Sequence, residues 1–186
     1  MSVLSKQEWL STAEQFEISK ARVVEISKMI EYYCGKKKKT AINKHIELFY
    51  LSKEIRSLLD KLVYTQYFDE NHNAKYPQSE IPRILRRDCG NTSIYIFYDT
   101  ELPEDHKCYN DKSIASKRPK PLLNHLPSSE SSIYLENLEQ LNTLVHKVLG
   151  EDSYYRNSME YHDIQLFNKF NGLLQKCIKL IQDMTM

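Results

Sequence analysis

The chain has 186 residues, 41% of them hydrophobic and 27% charged, with only 4 glycines and 6 prolines. This composition excludes collagen-like, low-complexity and wholly disordered classes, and folding at this length buries about 70% of the surface an unfolded chain exposes. Lys and Arg number 26 against 25 Asp and Glu, a formal charge of +1, which excludes the global basic field of a histone-like binder and leaves only local patches.

Cys34, Cys89, Cys108 and Cys177 are widely spread and form no CxxC, and the opening MSVLSKQEWL lacks the apolar core of a signal peptide. We therefore expect a reducing, cytoplasmic setting. The apolar runs are a few residues long against the ~20 needed to cross a bilayer, so no membrane association is expected.

Ser5 and Glu8 stand in the S-x-x-E relation of a capping box, and Phe16, Val23, Ile26, Ile30 and Tyr33 follow at helical spacing. The pattern predicts one long helix that stops near Cys34-Gly35, where the basic run Lys36 to Lys39 suits the negative end of the helix dipole. Thr40 is the expected N-cap of a second helix, in which Ile42, Ile46, Phe49, Leu51, Ile55, Leu58 and Leu62 keep the period to about Tyr67. A short connection between two such helices predicts an antiparallel hairpin.

From Asp69 to Ser129 the periodicity is lost, and all six prolines fall here. The run Ile94 to Tyr98 is β-branched and aromatic, the expected place of a short strand within a partly ordered insertion. A third helix is predicted from Ser131 or Ser132 to Gly150, with Leu138, Leu141, Val145 and Val148 on one side. In the fourth, Phe167, Phe170, Leu174, Cys177, Ile178 and Ile181 define a buried face, with Asp163 as the expected cap. The fold class is therefore all-α: a single helical domain over 1–186 with a four-helix-bundle-like core and a Pro-rich insertion at about 69–129 between helices 2 and 3.

Chemistry concentrates in Tyr154-Tyr155-Arg156-Asn157-Ser158-Met159-Glu160-Tyr161-His162-Asp163, just before the last helix. Here the chain resembles the HEPN superfamily (higher eukaryotes and prokaryotes nucleotide-binding), whose ribonuclease members carry an Arg, often followed by a polar residue, and a His after four to six further positions. Arg156-Asn157 followed by His162 fits. The resemblance implies a metal-independent endoribonuclease that acts as a homodimer, with RNA as substrate, a toxin or antiviral role, and a protein antitoxin or inhibitor as a partner.

On that reading histidine, with an ordinary pKa near 6.5, moves protons, so His162 is the expected acid or base. The planar donor fork of Arg156 matches a phosphate and stabilises its developing charge, and Asn157 orients the phosphate or the imidazole. Tyr154, Tyr155 and Tyr161 are candidates to stack on unpaired bases; packing of a helix junction is the alternative for at least one of them. Asp152 and Glu160, four residues either side of Arg156, offer it ordinary helix ion pairs instead. On a continuous helix, six residues turn the chain by about 600°, leaving Arg156 and His162 roughly 120° apart. They converge only if the helix breaks between them or if two copies face each other across a two-fold axis.

His72, Cys89, His106 and Cys108 lack the paired spacings of zinc sites, and no phosphate-binding loop or dinucleotide fingerprint occurs, so no metal or cofactor is expected. Lys36 to Lys39, Arg86-Arg87 and Lys117-Arg118 are separate basic clusters that an RNA backbone could follow. The competing class is a non-catalytic all-α interaction or adaptor protein that holds a protein partner.

Overall fold

The computed structural model describes residues 2–82, Phe97 and residues 125–185, with the backbone alone of Lys36. Four long helices carry the fold: α1 (Lys6–Cys34), α2 (Lys39–Tyr67), α3 (Ser128–Leu149) and α4 (Tyr161–Asp183). Ser5 opens α1 with a complete capping box, its hydroxyl accepting the Glu8 N–H at 3.2 Å while the Glu8 carboxylate accepts the Ser5 N–H at 2.7 Å. Gly35 closes α1 with φ 63° and ψ −161°, an extended positive-φ conformation that a side chain would strain.

The second helix departs from expectation at its start. Gly35–Lys38 forms a 3-10 turn that runs straight into α2, which begins at Lys39, and Lys38 takes the cap position without a capping side chain. Thr40 is thus inside the helix, because the helical turn leaves no extended residue for it to cap from. Likewise α3 starts three residues before Ser131: Pro127, held at φ −58° and ψ 139°, is the last extended residue, and Ser131 N–H donates to its carbonyl at 2.9 Å. On α4, Asp163 is one turn inside the helix and Glu160 is the cap residue; Asp163 Oδ2 reaches back to accept the Glu160 N–H at 3.0 Å.

Each helix packs on two neighbours: α1 on α2 and α3, and α4 on those same two. The result is a four-helix bundle with α1 and α4 on one diagonal and α2 and α3 on the other. Cross-contacts fix the directions. Trp9 Nε1 donates to Gln66 Oε1 at 2.9 Å at one end, and Lys61 meets Asp163 at that same end of α2, whereas Tyr33 lies against Glu130 at the other. All neighbouring helices are therefore antiparallel. It follows that α2 ends, and α3 begins, at opposite ends of the bundle.

The expected strand at 94–98 lies outside the described residues except for Phe97, whose backbone is helical rather than extended. Phe97 is fully buried, edge-on to Trp9 and Phe16 with ring centroids 6.0 and 5.8 Å away, and its N–H donates to the buried Asp60 carboxylate at 2.9 Å. The insertion thus supplies a core side chain. Among the described residues no strand forms, and no helix is long and apolar enough to cross a membrane.

Candidate functional site

The chain between α3 and α4 is built by its own short-range hydrogen bonds. Ser153 is buried; its hydroxyl donates to the Val148 carbonyl and accepts the Tyr155 N–H, which starts a 3-10 turn over Tyr154–Ser158. Met159 and Glu160 are extended, and α4 begins at Tyr161. The helix is therefore broken between Arg156 and His162, and the spacing that would have paired Arg156 with Asp152 or Glu160 is lost with it.

The structure separates the candidate residues by environment. Tyr155 is buried, its hydroxyl bonded to Gln66 Oε1 and accepting the Leu4 N–H at 2.8 Å, and its ring lies 5.1 Å from Trp9. Burial pushes its phenol up to about 12. It packs the junction of α1, α2 and the 3-10 turn and presents no face to a base. Tyr154 and Tyr161 are 53% and 77% exposed. Arg156 is half-buried: its Nη1 donates to the Leu149 carbonyl at 2.9 Å, satisfying the end of α3, and its guanidinium lies 5.7 Å from the Phe167 ring. Asn157 is exposed beside it.

His162 stands in a different setting. Its side chain is 69% exposed, with Nε2 3.1 Å from Asp163 Oδ1 and Nδ1 3.4 Å from Glu160 Oε2. Lys61, brought in from α2, places its ammonium 3.0 Å from Asp163 Oδ2 and 3.7 Å from Glu160 Oε2. The four side chains form a closed ring in which each carboxylate touches one lysine and one histidine. Asp163 is the fixed member, only 6% exposed. Burial works to raise its pKa, but the Glu160 N–H, Lys61 and His162 together outweigh that and hold the carboxyl below its usual range.

A buried carboxylate bonded to an exposed imidazole is the arrangement that fixes a histidine's tautomer and orientation, so the site holds an imidazole ready for proton transfer. Lys61 adds a cation suited to a phosphate oxygen. Glu160, His162 and Asp163 also bring three ligand atoms within 4.8 Å of one another, an oxygen and nitrogen set that could hold a divalent ion. Lys61 offsets one of its two negative charges and competes with such an ion. In the single chain, no hydrogen bond or ion pair joins Arg156 to His162 among the described residues.

The sequence offers Asp163 only as a helix cap and Glu160 only as an ion-pair partner for Arg156, and it gives no sign of Lys61. Lys61 lies 102 positions from Asp163 in sequence, and on the polar face of an amphipathic helix it carries no signal of its own. His72 meets the Tyr64 hydroxyl; Cys89, His106, Cys108, Arg86-Arg87 and Lys117-Arg118 lie outside the described residues.

The fold and site together define a four-helix bundle with a histidine–carboxylate–lysine cluster at one helix start. No family model matches the chain, and no curated protein or solved structure matches it.

Proposed function

We propose that this protein is a metal-independent endoribonuclease of the HEPN-like kind, acting as a homodimer in the cytoplasm, with proton transfer at His162. The observation that carries the reading is the 3.1 Å contact between the exposed His162 imidazole and the buried Asp163 carboxylate. In the reaction, one His162 takes the proton of a ribose 2′-hydroxyl as its oxygen bonds to phosphorus. The bond from phosphorus to the 5′-oxygen breaks, and a protonated His162 of the partner subunit gives that oxygen its proton. The products are a 2′,3′-cyclic phosphate and a 5′-hydroxyl. Lys61 and the guanidinium donors of Arg156 not used by Leu149 stabilise the added negative charge of the phosphorane. Tyr161 and Tyr154 stack on bases. A toxin or antiviral role, with a protein antitoxin or inhibitor as partner, follows from the same resemblance.

A second reading is favoured by one observation: Arg156 is already used, capping Leu149 and packing on Phe167, as suits a non-catalytic interaction bundle. The two separate in one assay. Purified protein incubated with single-stranded RNA in a metal chelator is expected to yield cyclic-phosphate ends, and His162→Ala to abolish cutting with the circular-dichroism spectrum and oligomeric state unchanged. Absence of cutting by the parent protein on every RNA tried favours the interaction protein.

A further inference from the structure

Four residues upstream of His162 an open, mostly polar groove of about 300 Å³ is lined by Asp152, Ser153, Tyr154, Asn157 and Ser158. Its walls are held firmly. Ser153 is committed through its hydroxyl to Val148 and Tyr155, and the half-exposed Tyr154 ring stands edge-on to Tyr155 at 5.2 Å and 80°. Tyr155 is anchored in the core, and the Tyr154 ring resting edge-on against it offers an exposed aromatic face to a base.

The charge of the groove decides what fits it. Arg156 turns its guanidinium to Leu149 and Phe167, so the lining holds one carboxylate, Asp152, and no cation. A phosphate is repelled there. A flat, uncharged group that offers N–H donors is not. The geometry points to a subsite for an unpaired guanine base, stacked on Tyr154, with the Asp152 carboxylate accepting its N1–H and N2–H and the Asn157 amide donating to its O6. Among the four RNA bases only guanine presents two adjacent N–H donors on that edge; adenine and cytosine offer an amino group beside an acceptor, and uracil a lone imide N–H. This subsite rests on the ribonuclease reading of the neighbouring His162 cluster and gives that reaction its substrate preference, cleavage beside an unpaired guanine.

The test is equilibrium binding by fluorescence anisotropy, using labelled 2′-O-methyl octanucleotides of uridine with one central guanosine or one central adenosine. These cannot be cut through the 2′-oxygen, so binding is read whether or not the protein is an enzyme. The guanosine probe is expected to bind at least about tenfold more tightly. Asp152→Asn, at an exposed position, is expected to abolish that preference, and Tyr154→Ala to weaken both probes by roughly 5- to 150-fold. Equal binding of the two probes, binding of neither, or a preference that survives Asp152→Asn overturns the subsite. The ribonuclease reading fails separately: a protein that prefers the guanosine probe yet cuts no RNA keeps the subsite and loses the enzyme, whereas cutting without regard to guanine does the reverse.

Discussion

Asp163 Oδ1 lies 3.1 Å from His162 Nε2, and the two side chains differ sharply in exposure, 6% against 69%. Adjacent residues at the start of one helix thus divide the labour: the carboxylate is held by the Glu160 N–H and Lys61 on the inner side, and the imidazole is left facing solvent. These two anchors on Asp163 make it a fixed point from which the histidine is oriented.

Asp163 is therefore a positioning residue, and Asp163→Asn isolates that role. The amide still offers an oxygen to the Glu160 N–H, so the helix start is expected to lose no more than about 1 kcal/mol. Losing the carboxylate that orients the imidazole should lower kcat for RNA cleavage at least about tenfold while KM changes little. Full activity with kcat and KM unchanged would leave Asp163 as a helix cap alone.

Tyr155 and Tyr154 are neighbours in sequence with opposite expected effects. Tyr155→Phe leaves the buried Leu4 N–H without its acceptor, a loss of about 1 to 3 kcal/mol. For a chain of this length that lowers the melting temperature by about 2–4 °C per kcal/mol. Tyr154→Phe, half-exposed, should melt within about 2 °C of the parent, in keeping with surface changes of no more than about 0.5 kcal/mol. Differential scanning calorimetry on the two variants checks the contrast.

The bundle was legible because its signals are local and periodic: Ser5 and Glu8 mark the first helix, Phe167 through Ile181 the last, and each rule uses residues within a turn or two of each other. Helix starts at Lys39 and Ser128 were misplaced because turn geometry and Pro127 overrode the nearest good capping residue. The ring around His162 was half visible. Its members at 160–163 are contiguous, but Lys61 enters only because α2 and α4 run antiparallel with that register, and no local pattern encodes a meeting between helices. Phe97 shows the same limit: β-propensity marks the aromatic run but says nothing of its packing beside Trp9 and Phe16.

Two glycines distinguish a steric requirement from a conformational one. Gly150 has φ −67°, open to any residue, yet a Cβ there would lie 2.5 Å from the His146 carbonyl oxygen, which also accepts the Gly150 N–H at 2.9 Å. Gly150→Ala is expected to cost about 1 to 3 kcal/mol by overpacking against backbone that cannot yield. Gly172, within α4, has open space where a Cβ would sit, so Gly172→Ala should stabilise by up to about 1 kcal/mol through helix propensity. Urea unfolding of both variants gives the two signs.

His45 makes the bundle acid-sensitive. It is fully buried on α2, its Nδ1–H donates to the Ala41 carbonyl at 2.8 Å, and Nε2 has no partner among the described residues. Burial pushes its pKa down to about 4, only partly opposed by the Ala41 carbonyl. In the unfolded chain the same imidazole titrates near 6.5. Between those values the unfolded state binds a proton that the folded state refuses, so stability is present in full above about pH 6.5 and is lost as pH falls, by about 3 kcal/mol once the folded value is reached. Carboxylates such as Asp163, held below their usual range, lose their contribution at still lower pH and do so equally in a His45 variant, so they cancel in the comparison. His45→Leu removes the titrating group while keeping an apolar side chain in the core. Its unfolding free energy in urea should therefore drop between pH 7 and pH 4.5 by about 2 kcal/mol less than that of the parent. Parallel pH dependences for the two proteins would mean that His45 is protonated in the fold and that its buried Nε2 has found an acceptor.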